Sequence, residues 1–190
     1  MTQEDFLEFG GTSWEELTEM ANIVLSSVDE SPEPVATTDP ETGEGFCDLG
    51  SYNWGDPEQE AEEEGSYPCE NHFPIVHVQG DAQITGGGIG QGILLVDGDI
   101  EIGGGFNFYG IVVAQGSFET SGGSGSGNRV IGGVMAAGAE LGDDDYQEYV
   151  GSSVIQASQC VQERARSMAQ ANRPVALEGR SWADITASGY

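Results

Sequence analysis

A repeated pattern runs through the middle of the chain, in which an apolar stretch is followed by a glycine and then by alternating polar and apolar residues. Its four instances are IVHVQGDAQI (75–84), ILLVDGDIEI (93–102), IVVAQGSFET (111–120) and VMAAGAEL (134–141). We predict a structural turn at the central glycine of each, and these glycines are Gly80, Gly98, Gly116 and Gly138, spaced by 18, 18 and 22 residues. A near-constant step of this length is typical of a solenoid in which each repeat forms one coil.

The predicted fold is therefore mainly β: a single-stranded parallel β-solenoid (β-helix) of about four to five coils. Apolar residues at helical spacing predict one helix over 13–26 and a second over 158–172. Because open strand edges at the ends of a solenoid invite aggregation, we expect these helices to cap both ends. The predicted division is an N-terminal segment with a capping helix (1–26), an acidic loop region (27–72), the β-solenoid (73–157), and a C-terminal helix and tail (158–190).

The two halves of each repeat differ in polarity. The strand after the glycine alternates, so one face points inward and the other meets water. Stacking coils about 4.8 Å apart should place Asp81 over Asp99, and Glu101 over Glu119. The strand before the glycine, such as ILLV at 93–96, is apolar on both faces. Its outer face therefore needs cover, and we expect a terminal helix rather than another protein to supply it.

Three acidic side chains form the one catalytic candidate in the repeats. Asp97, Asp99 and Glu101 recur every second residue, which on one strand face spaces them by roughly 6.5 to 7 Å. Inverting glycosidases separate their two carboxyl groups by a similar distance, so an acidic polysaccharide-active β-helix hydrolase is one hypothesis. The solvated face of a strand in an acidic protein carries the same pattern, and we favour that interpretation.

One acidic turn is a weak candidate for binding calcium. Asp143, Asp144 and Asp145 offer hard oxygen ligands, which Ca²⁺ prefers. The surrounding DDDYQE, however, lacks the spaced ligands and the glycine of an EF-hand loop. We therefore predict a solvated turn and no cofactor, with calcium as the one ion left open.

The charge is strongly one-sided, with 33 acidic residues against five basic ones and a formal net charge of −28. The chain contains no lysine, and all five arginines lie from Arg129 onward. Because phosphate backbones and anionic lipids are bound by lysine and arginine, this composition argues against nucleic acid and against docking on such lipids. Either a salty habitat or bound divalent cations would relieve the self-repulsion.

The cysteines indicate the kind of cellular compartment in which the protein is located. Cys47 and Cys69 bracket an acidic loop that has few apolar residues to hold it together, so we predict a disulfide between them. Disulfides persist in oxidising environments, so the predicted location is extracytoplasmic, in the periplasm, at the cell surface or in a pilus. Cys160 has no obvious partner. No apolar run of about 18 residues occurs, so we expect no membrane insertion by this chain as written.

A series of short motifs runs from about residue 53 to residue 185. It comprises NWGDP (53–57), FPIVHVQGD (73–81), the glycine-rich run over 85–116, NRVIGGVMAA (128–137), the SQC ending at Cys160, and RSWADI (180–185). Together these motifs resemble the C-terminal region of bacterial PilX-like, type IV pilus-associated envelope proteins. The resemblance implies an exported glycine-rich domain that follows a hydrophobic N-terminal helix, in a family with no established catalytic residues.

The leading hypothesis is a non-enzymatic extracytoplasmic β-solenoid domain of a pilus-related or cell-surface protein that acts in assembly or adhesion. Its expected partners are other pilus or envelope proteins, or further copies of the chain. The first alternative is the hydrolase using Asp97, Asp99 and Glu101. The second is a polymerising scaffold similar to bactofilins, which are cytoskeletal β-solenoids that join end to end.

Overall fold

A computed structural model of the chain describes residues 8–9, 12–57, 69–121, 127–136 and 153–171. The elements in these ranges are β1 (Glu8–Phe9), β2 (Thr12–Ser13), α1 (Trp14–Glu19), β3 (Ile23–Leu25), β4 (Ala36–Thr38), β5 (Gly45–Cys47), β6 (Ile75–Val78), β7 (Ala82–Ile84), β8 (Ile89–Val96), β9 (Ile100–Gly103), β10 (Asn107–Ala114), β11 (Phe118–Ser121), β12 (Arg129–Ala136), β13 (Val154–Ala157) and α2 (Gln159–Ala171).

The chain folds as a mainly β, parallel β-solenoid of about three turns. A six-stranded sheet has the order β13-β12-β10-β8-β6-β3, and a three-stranded sheet has the order β11-β9-β7. The three complete coils are therefore β6 with β7, β8 with β9, and β10 with β11. The predicted fold class is confirmed, but about four to five coils is too many. Among the described residues β12 and β13 have no counterpart in the smaller sheet, and β3 is followed there only by the bridge from Val28 to Ala82.

The 18-residue step sets the register of the stacked strands. Ile75 lies opposite Ile93, and Ile93 lies opposite Ile111, so equivalent positions of successive repeats form straight columns. Alternate columns face opposite sides of the six-stranded sheet and build two hydrophobic cores. The core inside the solenoid includes the column of Val76, Leu94 and Val112. The strands are apolar on both faces because both faces are buried.

Glycine is needed in the linkers and at the centres of the repeats for two different structural reasons. In the linkers Gly87, Gly88 and Gly104 have positive φ angles of 84°, 102° and 72°, which side chains with a β-carbon rarely adopt. The central glycines of the repeats are instead required by close approach between coils. A β-carbon on Gly98 would overlap the Asp81 carboxylate, and one on Gly116 would overlap that of Asp99. Gly138 lies outside the described residues.

The two helices lie over the outer face of the six-stranded sheet. Leu17 of α1 and Ala165 and Ala169 of α2 are buried in the second core, together with Ile93 and Ile111 of the sheet. A terminal helix therefore covers the doubly apolar strands, as predicted. The expectation that helices cap the two ends is wrong. The helices lie instead on the outer face of the six-stranded sheet, because that face is the large apolar surface that needs cover.

The predicted helix over 13–26 is only partly correct. Ser13 and Glu16 form a capping box, and α1 begins directly after Ser13. The helix ends at Glu19, and Ile23–Leu25 instead form β3, which pairs in parallel with β6. β-Branched Ile23 and Val24 favour an extended strand, and β6 supplies the neighbouring edge that makes this conformation stable. The C-terminal helix, at Gln159–Ala171, agrees with the prediction.

Part of the acidic loop region enters the solenoid. Trp54 is 0% exposed and packs edge-on against Phe106 and Phe108, with ring centroids 6.4 and 6.5 Å away. Backbone hydrogen bonds from Ile89 to Pro32 and from Gln91 to Trp54 join the loop to the start of β8. The loop thus occupies the position beside β8 that another coil would take, and it closes the interior there.

Candidate functional site

The three candidate catalytic carboxylates lie around a corner of the second coil. Asp97 follows the end of β8, Asp99 immediately precedes β9, and Glu101 lies on β9. The expectation that all three line one strand face is wrong, because the chain turns at Gly98 between the two sheets. Each of the three side chains has its own partners.

Asp97 pairs with a buried histidine. Its Oδ1 lies 3.0 Å from Nε2 of His77, whose side chain lies on the outer face of β6 and is only 11% exposed. The His77 ring also meets the Trp14 ring edge-on, at a centroid distance of 6.2 Å. Asp97 therefore connects two adjacent coils and, through His77, the helix α1 that covers them.

Asp99 binds the next coil. Its Oδ1 accepts hydrogen bonds from the backbone N–H of Ser117 at 2.6 Å and from the Ser117 hydroxyl at 2.9 Å. The backbone bond is the main cause that lowers the pKa of Asp99, and the hydroxyl adds to it. Asp81 repeats the arrangement one coil earlier, since its Oδ1 accepts from the backbone N–H of Asp99 at 2.9 Å. The predicted stacking of Asp81 on Asp99 is thus a chain of inter-coil hydrogen bonds.

Glu101 is held between its neighbours in the stack. It accepts a hydrogen bond from the Gln83 amide at 2.8 Å and one from the Ser121 hydroxyl at 3.3 Å. It also lies directly opposite Glu119, as predicted. A glycosidase needs one carboxyl group with a raised pKa to donate a proton, whereas Asp99 is held ionised. This geometry suits the joining of coils better than acid–base catalysis.

The disulfide between Cys47 and Cys69 closes the acidic loop region, as predicted. Buried Asn53 organises this loop, because its side-chain amide donates to the carbonyls of Val35 at 3.0 Å and Asp48 at 2.5 Å. The same nitrogen lies 3.3 Å from the sulfur of each cysteine. The disulfide is therefore part of an ordered hydrogen-bonded turn that leads directly into buried Trp54.

Sequence reasoning missed a polar contact that ties α2 to this loop. Gln91 is buried on β8, and its amide donates to the carbonyls of Glu70 at 2.7 Å and His72 at 3.0 Å. Arg164 of α2 lies over the Phe73 ring, 4.8 Å from its centroid, and donates to the Glu70 carbonyl at 3.3 Å. In the sequence, the only sign of this contact was Gln91, the one amide residue within the glycine-rich run GGGIGQG. Such a run is otherwise typical of a turn.

A metal centre is not found in the part of the chain that the structure describes. Within those ranges no three histidine, cysteine, aspartate or glutamate side chains are grouped to hold an ion. The weak calcium candidates Asp143, Asp144 and Asp145 lie outside the described residues. None of the described helices is both long enough and apolar enough to cross a membrane.

Stability should depend on pH through His72. Its Nε2 donates to the Asn53 carbonyl at 3.0 Å, and partial burial lowers the pKa of this histidine below its ordinary value. The unfolded chain therefore binds a proton more readily than the folded chain, and stability falls as the pH drops below about 6.5. Because a single histidine binds at most one proton, the slope cannot exceed about 1.4 kcal/mol per pH unit, and solvent screening of this partly exposed ring makes the effect smaller.

The control variant is His72→Gln, whose side chain can still donate a hydrogen bond to the Asn53 carbonyl but does not titrate. Urea unfolding at several pH values measures the free energy of unfolding of both proteins. The parent should lose stability relative to His72→Gln as the pH falls from about 7 to about 5. A stability difference that stays constant over this range would contradict the assignment. Comparison with the variant also removes the effect of the many carboxylates that titrate in both proteins.

No protein-family model, no curated protein and no solved structure matches the chain.

Proposed function

We propose that this chain is a non-enzymatic, extracytoplasmic β-solenoid module of a pilus-related or cell-surface protein, acting in assembly or adhesion. The observation that carries the proposal is the Cys47–Cys69 disulfide, which is built into the hydrogen-bonded turn around Asn53. A disulfide in such a structural position suits an oxidising compartment. The resemblance of the motifs over about 53–185 to pilus-associated envelope proteins supports the same location.

The non-enzymatic part of the proposal rests on the carboxylates. Asp97 is paired with His77, Asp99 with Ser117, and Glu101 with Gln83 and Ser121. Each pairing joins neighbouring coils, which gives these acids a structural reason to be present. These hydrogen bonds hold the carboxylates against neighbouring coils, whereas a glycosidase directs its two carboxyl groups at a bound glycan and an attacking water.

The redox state of the protein in its native host tests the location. Cells are treated with an alkylating reagent before lysis, fractionated, and the cysteine peptides are identified by mass spectrometry without reduction. We expect the protein in the envelope or surface fraction, with Cys47 and Cys69 linked. Exposed Cys160 should be alkylated in the same sample, which shows that the reagent reached the protein. Recovery from the cytoplasm with all three thiols alkylated would overturn the proposal.

A glycan panel tests the absence of catalysis. The purified protein is incubated with neutral and uronate polysaccharides, and new reducing ends are measured. We expect no turnover above buffer. Turnover that disappears in Asp99→Asn or Glu101→Gln would refute the non-enzymatic part of the proposal and revive the hydrolase hypothesis.

A further inference from the structure

We infer that the solenoid binds a second copy of this chain head to tail, with β3 of one molecule extending the six-stranded sheet beyond β12 of the other. The inference deepens the proposed role in assembly by naming the partner as another copy. It rests on the two ends of the six-stranded sheet, which differ in shape and in charge.

Both ends of this sheet offer a backbone edge. At one end β3 is the last strand, and it pairs only with β6 among the described residues. At the other end β13 pairs with β12 only over residues 129–132. The remaining part of β12, residues 133–136, has no further strand beside it within the described ranges, because the chain leaves β13 to form α2. Such edges are templates for adding another parallel strand.

The two edges match in register. Ile23–Leu25 of β3 lie opposite residues 76–78 of β6, and the same columns continue through residues 94–96 and 112–114 to residues 134–136 of β12. A second molecule displaced along the solenoid axis would therefore bring its β3 onto the three free positions of β12. Val24 of one molecule would then lie opposite Met135 of the other.

The end column is apolar apart from His77, and it is incompletely buried at Val24. His77 and Leu95 occupy the same column as Val24 and are 8% and 0% exposed, whereas Val24 is 53% exposed. The helices cover the middle of this column, and Val24 lies at the end of the sheet. Addition of another molecule would place Met135 against Val24 and bury part of this exposed side chain.

Charge favours the head-to-tail orientation over contact between two β3 ends. The segments that flank β3 contain no arginine and carry five acidic residues, Glu15, Glu16, Glu19, Asp29 and Glu30. Two molecules joined by their β3 ends would bring these carboxylates together. Exposed Arg129 begins β12 and lowers the repulsion between that strand and the β3 end of a neighbour. Because the whole chain carries −28, association should still require salt, which shortens the screening length to about 3 Å at 1 M.

The helices leave this geometry open in the described part of the chain. α2 packs against β10 and β12 and reaches back along the outer face, where Met168 lines a cavity with Asn22 and Ile23. It therefore runs across the coils along the side of the sheet. A molecule added at the end would place its β3 parallel to β12 and extend the sheet along the axis on which the coils stack.

Disulfide trapping tests both the contact and its orientation. Val24→Cys and Met135→Cys are prepared as separate proteins in a Cys160→Ser background, mixed in equal amounts in about 1 M salt, and oxidised mildly. Adjacent parallel strands lie about 4.8 Å apart, which suits a disulfide. We expect the mixed 24–135 dimer to exceed both the 24–24 and the 135–135 dimers by about tenfold. Random collision gives about twice as much mixed dimer as either symmetric one, so a ratio no higher than this, or an excess of either symmetric dimer, would overturn the inference.

Gln115→Cys is the control for Val24→Cys. Gln115 is also exposed, but it lies in the corner between β10 and β11, outside the two strand edges of the proposed contact. Its mixture with Met135→Cys should give only the background level of mixed dimer. As much mixed dimer with position 115 as with position 24 would show random collision and refute the contact.

A non-covalent measurement decides the question if Met135→Cys does not fold. Light scattering of the parent should show a mass that rises with protein concentration and with salt. Val24→Lys should abolish this rise, and Gln115→Lys, at an exposed position outside the proposed contact, should not. A parent that stays monomeric at high salt, or equal effects of the two lysines, would overturn the inference. Neither result bears on the compartment, so the alkylation experiment on Cys47 and Cys69 tests the proposed function separately.

Discussion

Replacing Gly110 with alanine should lower the free energy of unfolding by about 3 kcal/mol, near the upper end of the effects of overpacking. Gly110 lies in β10, in a column with Gly92 of β8 and Gly132 of β12. A β-carbon at Gly110 would overlap the Gly92 carbonyl oxygen and lie 2.9 Å from a ring carbon of Phe108. Backbone atoms of the adjacent coil cannot move aside without breaking the hydrogen bonds between the strands.

Urea unfolding of the variant and the parent measures this loss, and Gly50→Ala is the matched control. A β-carbon at Gly50 would have only the Asp48 carboxylate nearby, at an ordinary contact distance of 3.8 Å. The control should therefore change stability by no more than about 0.5 kcal/mol. Similar losses for the two variants would mean that the glycine column is not a close contact between coils.

Trp54→Ala should cost about 4 kcal/mol, because it empties a large volume in the closed interior of the solenoid. The indole is fully buried between the loop and the aromatic pair of Phe106 and Phe108, whose own centroids are 5.9 Å apart. Its ring nitrogen also donates to the Ser51 carbonyl at 3.1 Å. Loss of the indole leaves these rings without their packing partner.

Phe46→Ala separates this packing effect from a general effect on the loop. Phe46 is an aromatic residue of the same disulfide-closed region, but half of it is exposed. Its removal should cost less than about 1 kcal/mol, since little apolar surface leaves a buried environment. If Trp54→Ala were as mild as Phe46→Ala in the same urea experiment, the loop would not be part of the core.

The repeat pattern predicted the solenoid because its period controls contacts between equivalent residues. With 18 residues per coil, Ile75, Ile93 and Ile111 stack in register, and the 22-residue step to β12 still places Val112 opposite Val134. The capping box at Ser13 and the C-terminal helix were likewise predictable, because capping and helical periodicity are local properties.

The carboxylates show where the same reasoning failed. A two-residue spacing in Asp97, Asp99 and Glu101 suggests one strand face only if the strand is straight, and the corner at Gly98 lies between them. Their partners His77, Ser117 and Gln83 come from other coils, at sequence separations of 20, 18 and 18 residues. No pattern within a few residues of each acid encodes these hydrogen bonds.

By itself, the sequence determined the parallel coils, their register, the two-sided burial of the longer strands and the pairing of Cys47 with Cys69. These features follow from periodicity, from apolar content and from the need to close an otherwise unsupported loop. Only the tertiary structure decided that Ile23–Leu25 form a strand, that the helices cover the side of the sheet, and that Trp54 fills the interior. Each of these depends on which apolar surface remains uncovered after the coils have stacked, and that surface exists only in the folded molecule.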